Sequence, residues 1–355
     1  MESLKEVNSA FAMQIPAIRS WLEQYSDLYI DHFDIKQYTG GYSNLTYRVT
    51  INDDVHWVLR KPPVGANIKS GHDMKREFTI ISALYPHFPK VPKPIAFCDD
   101  HEVIGSEFYI MEKVDGWILR SGMSDEETPL RDQMGQIYLT FCDHFVGLHQ
   151  LDYMEVGLGT LGNPENYPER QVHGWTKRYY NAKTDEVDSV ESLAKWLGNH
   201  IPHLSGSCLI HNDFKYDNII LDETNNEVRA ILDWEMSTIG DPLMDLGSSL
   251  GYWVNADDPP WLQAINLSPT TLPGNASRET LLHDYSTKSG KDPGNGVFYY
   301  AYGMFKLAVI AQQIFARYKA GLSKDPKFAH LDKVVRACGD MAMRSIERKK
   351  IDQLF

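Results

Sequence analysis

The N-terminal third of the chain changes its hydrophobic period twice. Residues 1–30 carry apolar side chains about one helical turn apart, which predicts a helical lead-in segment. From Phe33 apolar and polar positions alternate, and turn residues separate successive runs, so an antiparallel meander is predicted. The runs are FDIKQYT, NLTYRVTI and VHWVLRK. Helical spacing then returns at 74–85 and stops before Pro86, as is usual for helices.

Two more strands complete the predicted β unit, and helices follow it. Residues 95–98 and 108–114 have strand character, and five strands with one inserted helix make a small domain. Beyond Gly116 helical spacing predominates, except for a strand-rich island at 208–233. The predicted helices cover 134–148, 175–197, 241–253 and 297–320.

This order of elements predicts an α+β protein with two lobes. Residues 1–30 would form the lead-in, 31–113 a small antiparallel β lobe, and 114–355 a larger, mainly helical lobe. The junction of two such lobes is a natural place for a ligand-binding cleft.

Composition and charge narrow the class of protein. Apolar residues make up 43% and charged residues 23% of 355 positions, as in a folded globular chain. The formal net charge of −13, without a basic stripe, argues against a nucleic-acid-binding protein. The N-terminus shows no apolar signal segment, and the most apolar stretch contains Lys306, so no membrane association is expected. Four widely spaced cysteines without a C-x-x-C pair predict reduced thiols in a cytoplasmic protein.

The island at 208–233 carries the most informative chemistry. An acid and an amide lie five residues apart, between apolar runs, in CLIHNDFKYDNIILD. A second acid, in ILDWE, follows a predicted hairpin. The hairpin would bring this second acid close to the first acid. Transfer of a phosphoryl group from ATP needs such a set of side chains.

Four polar residues of the island have candidate roles in this reaction. Asp213 would orient an acceptor hydroxyl and take its proton, while Lys215 would neutralise charge on the transferred phosphoryl group. Asn218 and Asp233 would supply hard oxygen ligands for Mg²⁺. The spacing H-x-D-x-x-x-x-N is that of the kinase catalytic loop, in which we expect His211 to be structural. A polar hairpin turn is the simpler alternative, but the flanking apolar runs and the second acid argue against it.

The motifs of the island also carry a family resemblance. The chain resembles the aminoglycoside phosphotransferase and choline kinase-like family, which has the protein-kinase fold, in HNDFKYDNIILD and ILDWEMSTIGDPLMDLG. The second motif is most similar to the branch associated with acyl-CoA dehydrogenases. Shorter matches extend the likeness from about residue 33 to about residue 320, in FDIKQYTGGYSNLTYRV, WVLRKPP, MKREFTIISAL, VPKPIAFCDD, FYIMEKVDG and GWTKRYY.

The resemblance implies a two-lobed protein-kinase-like fold and an enzyme that uses ATP, or GTP, with Mg²⁺. Its acceptor would be a small-molecule hydroxyl, and the dehydrogenase-associated branch favours a hydroxyacyl-CoA and a functional link to an acyl-CoA dehydrogenase. The implied nucleotide-binding residues are Gly40, Gly41 and Ser43 over the phosphates, Arg60 or Lys61 on the third strand, Glu77 as ion-pair partner, and Met111 and Lys113 in the adenine hinge.

Several of these residues have a second interpretation. The loop at 40–43 lacks G-x-G-x-x-G and also fits an ordinary hairpin. Arg60 is preferred to Lys61, which strand alternation points to the opposite face. Four aromatic residues and one arginine would either line an acceptor pocket or belong to the helical core: Trp175, Arg178, Tyr179, Tyr252 and Trp253. Structural roles, one of them near a helix start, are expected for Asp241 and Asp245.

Two other functions stay open at this point. The segment at 247–251, GSSLG, fits the nucleophile elbow of serine hydrolases, although DPLMDL before it predicts a helix whose small residues permit close packing. A kinase-like fold can also serve as a catalytically weak nucleotide-binding scaffold. The chain keeps the base, both metal ligands and a cation, which argues for an enzyme.

Overall fold

The computed structural model describes residues 4–26, 29–39, 44–63, 72–124, 127–265, 268–323 and 325–355. The strands are β1 (Leu4–Glu6), β2 (Phe33–Tyr38), β3 (Leu45–Ile51), β4 (Val55–Lys61), β5 (Pro94–Cys98), β6 (Phe108–Glu112), β7 (Cys208–Ile210), β8 (Ile219–Leu221), β9 (Val228–Ile231) and β10 (Thr238–Gly240). The α-helices are α1 (Ser9–Ala12), α2 (Ile15–Tyr25), α3 (Met74–Leu84), α4 (His101–Ile104), α5 (Arg131–His149), α6 (Tyr167–Ala182), α7 (Asp188–Asn199), α8 (Pro242–Gly251), α9 (Pro260–Gln263), α10 (Arg278–Ser289), α11 (Val297–Lys319) and α12 (Leu331–Arg348). Short 3₁₀ turns lie at Tyr216–Asn218, Trp234–Met236 and Pro326–His330.

Two compact units divide the chain. The first takes its residues from 1–117 and 219–236, and the second from 118–218 and 237–355. This division differs from the borders proposed at 30/31 and 113/114, because the lead-in and the hairpin β8–β9 both belong to the β-rich first unit.

An antiparallel sheet in the order β1-β2-β3-β4-β6-β5 is the framework of the first unit. The predicted meander is confirmed, since Ile35 on β2 pairs with Val49 on β3 and Tyr47 pairs with Leu59 on β4. Ile35 and Tyr47 are buried, whereas the residues on either side of each are more exposed, as alternation requires. Strand β1 was not predicted because its three residues, LKE, show no apolar alternation.

The lead-in helices pack onto this sheet. Phe11 of α1 and Ile18 and Leu22 of α2 are buried in one apolar cluster with Ile35 and Tyr47. The Phe11 ring stacks on Tyr47, with ring centroids 4.2 Å apart. Burying such a side chain contributes about 1.5–3 kcal/mol, so the lead-in is part of the core of the first unit.

Helix α3 begins and ends where the sequence predicts. Asp73 accepts a hydrogen bond from a first-turn amide at 2.8 Å and caps the helix, which ends at Leu84, before Pro86. The polar segment between β5 and β6 forms the short helix α4. Asp100 caps α4, and Gly105 ends it in the left-handed conformation, with φ of 75°.

The hairpin β8–β9 attaches to the first unit through backbone hydrogen bonds. The Ile231 amide donates to the Lys90 carbonyl at 2.7 Å, and the Trp117 amide donates to the Leu221 carbonyl at 3.0 Å. The residues that follow β9, including Asp233, are therefore held in this unit.

Helices dominate the second unit. The predicted stripe of α5 is confirmed, with Met134, Ile137, Phe141 and Phe145 buried. The helix expected at 175–197 is instead two helices, α6 and α7, because the chain leaves the helical conformation after α6, at Lys183 (ψ 124°). Helix α12 was not predicted, although its buried positions Val335, Cys338, Met341 and Ala342 recur at helical spacing. Among the described helices, none has the combination of length and low polarity that crossing a membrane requires.

The segment GSSLG lies inside α8 rather than at a turn. Ser249 is 1% exposed, and its hydroxyl donates to the Phe214 carbonyl at 2.8 Å. A nucleophile elbow needs an exposed serine on a strand-to-helix turn, so this geometry does not support the hydrolase alternative. Gly247 and Gly251 instead face Gly303 of α11, where a Cβ atom on any of the three would overlap backbone of the other helix. The predicted close packing of small residues is confirmed.

Candidate active site

Strand β4 presents Arg60 to a cluster of carboxylates in the first unit. Its Nη1 lies 2.6 Å from Glu77 Oε1 on α3, and its Nη2 lies 3.0 Å from Asp233 Oδ1, after β9. Glu235 Oε2 is 3.8 Å from the same Nη2. Three residues singled out from the sequence, far apart along the chain, thus meet at one guanidinium.

The charge of Arg60 is fixed by its surroundings. The side chain is nearly buried, and burial disfavours its charged form. Glu77, Tyr109 and Asp233 outweigh that effect and raise the pKa of Arg60. The guanidinium therefore stays a cation, as contact with phosphate oxygens would require.

Lys61 points away from this cluster. Its Nζ lies 5.2 Å from the centroid of the Phe11 ring, in the apolar layer under the lead-in. Burial lowers the pKa of Lys61. The structure therefore does not bring Lys61 to the Arg60 cluster, and the expected alternation of the two side chains along β4 is observed.

Glu235 links the Arg60 cluster to the end of the proposed phosphate loop. It accepts a hydrogen bond from Asn44 Nδ2 at 2.8 Å, and Asn44 Oδ1 lies 2.7 Å from His72 Nδ1. Gly40, Gly41 and Ser43 lie outside the described residues. Sequence reasoning missed Asn44 and Glu235, although Glu235 stands in the DWE motif two residues after Asp233.

The proposed hinge is the end of β6. The amides of Glu112 and Lys113 donate to the carbonyls of Lys93 at 2.8 Å and His56 at 3.1 Å. Lys113 Nζ lies 2.6 Å from Asp115 Oδ1. Met111 is 7% exposed and pairs within the sheet. Contact with a base through this segment would therefore use other backbone groups than these two amides.

The loop after β7 builds a second cluster, in the second unit. Asn218 Nδ2 donates to the Asp213 carbonyl at 2.8 Å and to its carboxylate Oδ2 at 2.9 Å. Lys215 Nζ lies 3.0 Å from the same Oδ2. Because its nitrogen is occupied by Asp213, the amide oxygen of Asn218 is directed elsewhere and is available to a cation.

Asp213 and Lys215 hold each other in the ionised state. Burial disfavours the carboxylate, but Lys215 outweighs it and lowers the pKa of Asp213. Lys215 Nζ also lies 4.5 Å from the centroid of the Tyr252 ring. Burial opposes its charge, but Tyr252 and Asp213 prevail and raise the pKa of Lys215. At neutral pH Asp213 is therefore a carboxylate able to accept a proton.

Asp245 of α8 anchors the backbone of this loop. Its carboxylate accepts hydrogen bonds from the amides of His211 and Asn212, both at 2.7 Å. His149 Nε2 lies 3.1 Å from the same group. Asp241 caps α8 by accepting from the Leu243 amide at 2.8 Å. Both aspartates thus have the structural roles expected from the sequence.

Lys306 of α11 is the residue of this cluster that sequence reasoning passed over as part of an apolar helix. Its Nζ donates to the Asn212 carbonyl at 2.6 Å, and it is 4% exposed. The Trp175 ring contacts two cations, with Lys306 Nζ 5.8 Å and Arg178 Cζ 4.6 Å from its centroid. Tyr179 and Trp253 are buried core residues, and Trp253 packs against Tyr216 of the loop, with ring centroids 5.4 Å apart.

The β unit, the helical unit and their two polar clusters together define a phosphotransferase of the kinase-like fold. The sequence profile described as "Phosphotransferase enzyme family" (APH) matches residues 34–276, more than half of the chain. The chain belongs to this phosphotransferase enzyme family, which confirms the predicted family, fold and enzyme class.

Individual relatives agree with this assignment. The chain is 34% identical over 324 residues to acyl-CoA dehydrogenase family member 11 of Rattus norvegicus, covering 89% of this chain and 41% of that protein. The chain therefore spans less than half the length of that relative. The crystal structure of a Ralstonia eutropha JMP134 protein described as an aminoglycoside phosphotransferase is similar at 29% identity and a TM-score of 0.78, covering 94% of this chain and 98% of that one. Choline kinase from Cryptosporidium parvum Iowa II shares the fold at 12% identity and a TM-score of 0.62, with 96% and 98% covered.

Proposed function

We propose that this protein transfers the γ-phosphoryl group of ATP or GTP to a hydroxyl group of a small molecule. The observation that carries the proposal is the Asp213 carboxylate, which Lys215 keeps ionised and Asn218 holds in place. Loss of the acceptor proton to Asp213 would accompany bond formation between the acceptor oxygen and the γ-phosphorus, as the bond to the leaving oxygen breaks. Lys215 would neutralise charge on the phosphoryl group.

The oxygen donors fit a magnesium ion better than a softer metal. The Asn218 amide oxygen is left available by its own hydrogen bonds, and Asp233 offers a carboxylate that is about one third exposed. Hard oxygen ligands of this kind suit Mg²⁺. The ion, when bound, would supply charge neutralisation on the phosphates of the nucleotide.

The cluster at Arg60 supports the nucleotide-binding role. A lysine or arginine held by a helical glutamate is the arrangement that kinases use beside the α- and β-phosphates. Arg60 has that partner in Glu77, at 2.6 Å, and Lys61 does not. We therefore assign the phosphate contact to Arg60 and leave Lys61 out of the site.

For the acceptor we propose a hydroxylated acyl thioester, such as a hydroxyacyl-CoA. The support is the name of the rat relative, an acyl-CoA dehydrogenase family member, in which a matching segment accompanies a longer chain. A functional link to an acyl-CoA dehydrogenase follows from the same support. Cytoplasmic location is proposed from the four buried, unpaired cysteines.

A screen for consumption of the γ-phosphate tests the proposal. Purified protein with ATP or GTP and Mg²⁺ would be offered hydroxyacyl-CoAs, amino sugars and amino alcohols, with mass spectrometry of the acceptors. We expect one class to gain a phosphoryl group at a rate that Asp213→Asn reduces. Nucleotide binding without phosphorylation of any acceptor would instead favour the scaffold function, which no feature of the described residues favours at present.

A further inference from the structure

Lys306 is a buried cation that the proposed reaction does not use. It lies on α11 and is 4% exposed. Its Nζ donates to the Asn212 carbonyl at 2.6 Å and to Ser248 Oγ of α8 at 3.0 Å. Burying an ammonium group costs several kcal/mol, so a fold that keeps one has a partner that compensates for it.

The compensating partner is the peptide that aims Asp213. Asn212, directly before Asp213, has a left-handed backbone with φ of 66°. Its amide donates to Asp245 Oδ1 at 2.7 Å, while its carbonyl accepts from Lys306. Asn212 thus has an uncommon backbone conformation, and side chains of two different helices hydrogen-bond to its amide and to its carbonyl.

The charged groups around Lys306 affect its protonation state in opposite directions. Asp245 of α8 and Asp213 of the loop favour its charged form, whereas Lys215 of the loop and Arg178 of α6 oppose it. Burial opposes the charged form more strongly than any of these neighbours favours it, so the pKa of Lys306 falls to about 8.

We propose that Lys306 is a positioning residue of the phosphotransferase: its ammonium group fixes the Asn212 carbonyl, so that Asp213 points at the acceptor hydroxyl. This inference rests on the proposed function. Lys306 acts through Asp213 and does not itself accept the proton.

Kinetics of Lys306→Met and Lys306→Arg test this role. We expect Lys306→Met to lower kcat at least tenfold with little change in KM for the nucleotide, and Lys306→Arg to restore part of kcat. In the wild type kcat would fall above about pH 8, as Lys306 loses its proton. In Lys306→Arg that fall would move to higher pH, because a guanidinium stays charged.

The matched control is Lys319→Met on the same helix. Lys319 forms an exposed pair with Asp185 at 3.0 Å, and its removal should leave kcat and both sides of the pH profile unchanged. Wild-type kcat in Lys306→Met, or an unshifted alkaline side in Lys306→Arg, would overturn the inference. If Lys306→Met does not fold, the Lys306→Arg profile alone decides. Wild-type turnover by Asp213→Asn would instead overturn the proposed function itself.

Discussion

At the scale of single residues, one guanidinium pairs with two carboxylates that differ in exposure. Arg60 bonds to Glu77, which is almost fully buried, and to Asp233, which is partly exposed. Removing the cation would leave Glu77 buried without its cationic partner, whereas Asp233 could still be solvated. We therefore expect stability and the proposed nucleotide binding to depend on the same side chain.

Arg60→Met should lower the free energy of unfolding by about 3–5 kcal/mol, the usual cost of breaking a buried ion pair. Denaturant titration would measure it. The control is Lys36→Met in the same sheet, where the pair with Glu6 at 3.4 Å is exposed on the glutamate side. That variant should change stability by less than about 1 kcal/mol. Equal effects of the two substitutions would contradict a special status for the Arg60 pair.

Asp213→Asn should lower kcat by about 10²–10⁴-fold, because an amide cannot take the acceptor proton. Nucleotide affinity should stay near the wild-type value, since the carboxylate is proposed to act on the acceptor. Steady-state kinetics and calorimetric titration with nucleotide would separate the two quantities. Asp143→Asn, in an exposed pair with Lys288, is the control and should leave both unchanged. A fall in nucleotide affinity equal to the fall in kcat would argue against the assigned role.

At the scale of elements, helix α8 serves the loop that precedes it. Its Asp245 carboxylate, nearly fully buried, accepts two loop amides and contacts His149. Burial disfavours its charge, but His149, His211 and Lys306 prevail and lower the pKa of Asp245. The stability that this group contributes is therefore present above pH 4, the ordinary range of an aspartate, and is lost as pH falls further.

Asp245→Asn should consequently be less stable than the wild type at pH 7. The difference should narrow as pH falls below about 4, toward the lowered pKa of the native carboxyl group. Urea unfolding of both proteins at several pH values would measure it. A difference that stays constant from pH 7 to pH 3 would show that ionisation of Asp245 does not contribute.

The elements also show what a sequence can and cannot predict. The alternation of apolar and polar residues predicted the bounds of β2, β3 and β4 to within one residue, since one face of that sheet is apolar. The interruption between α6 and α7 was missed, because 175–197 keeps helical spacing on both sides of it. The Lys306–Asn212 bond joins residues 94 positions apart. No local pattern reports such a contact, and an isolated lysine in an apolar helix gives no hint of its partner.

At the scale of the whole molecule, the nucleotide should stabilise the folded chain. A ligand at 100 times its Kd adds about 2.7 kcal/mol, which would raise the melting temperature. We expect this rise with nucleotide and Mg²⁺ for the wild type and for Asp213→Asn. Asp233→Asn should lose the Mg²⁺-dependent part of it. A full rise in Asp233→Asn would exclude Asp233 from metal binding.

The glycines at the contact between α8 and α11 have a consequence for how this protein can change. Lys306 lies three residues after Gly303 on α11. Its side chain reaches Ser248 and Asn212 because the backbones of α8 and α11 are in close contact. Replacing Gly303 with alanine, a single added methyl group, would wedge the helices apart and withdraw the ammonium from the loop. We therefore expect position 303 to accept no residue larger than glycine during evolution, although it contributes no reactive side chain.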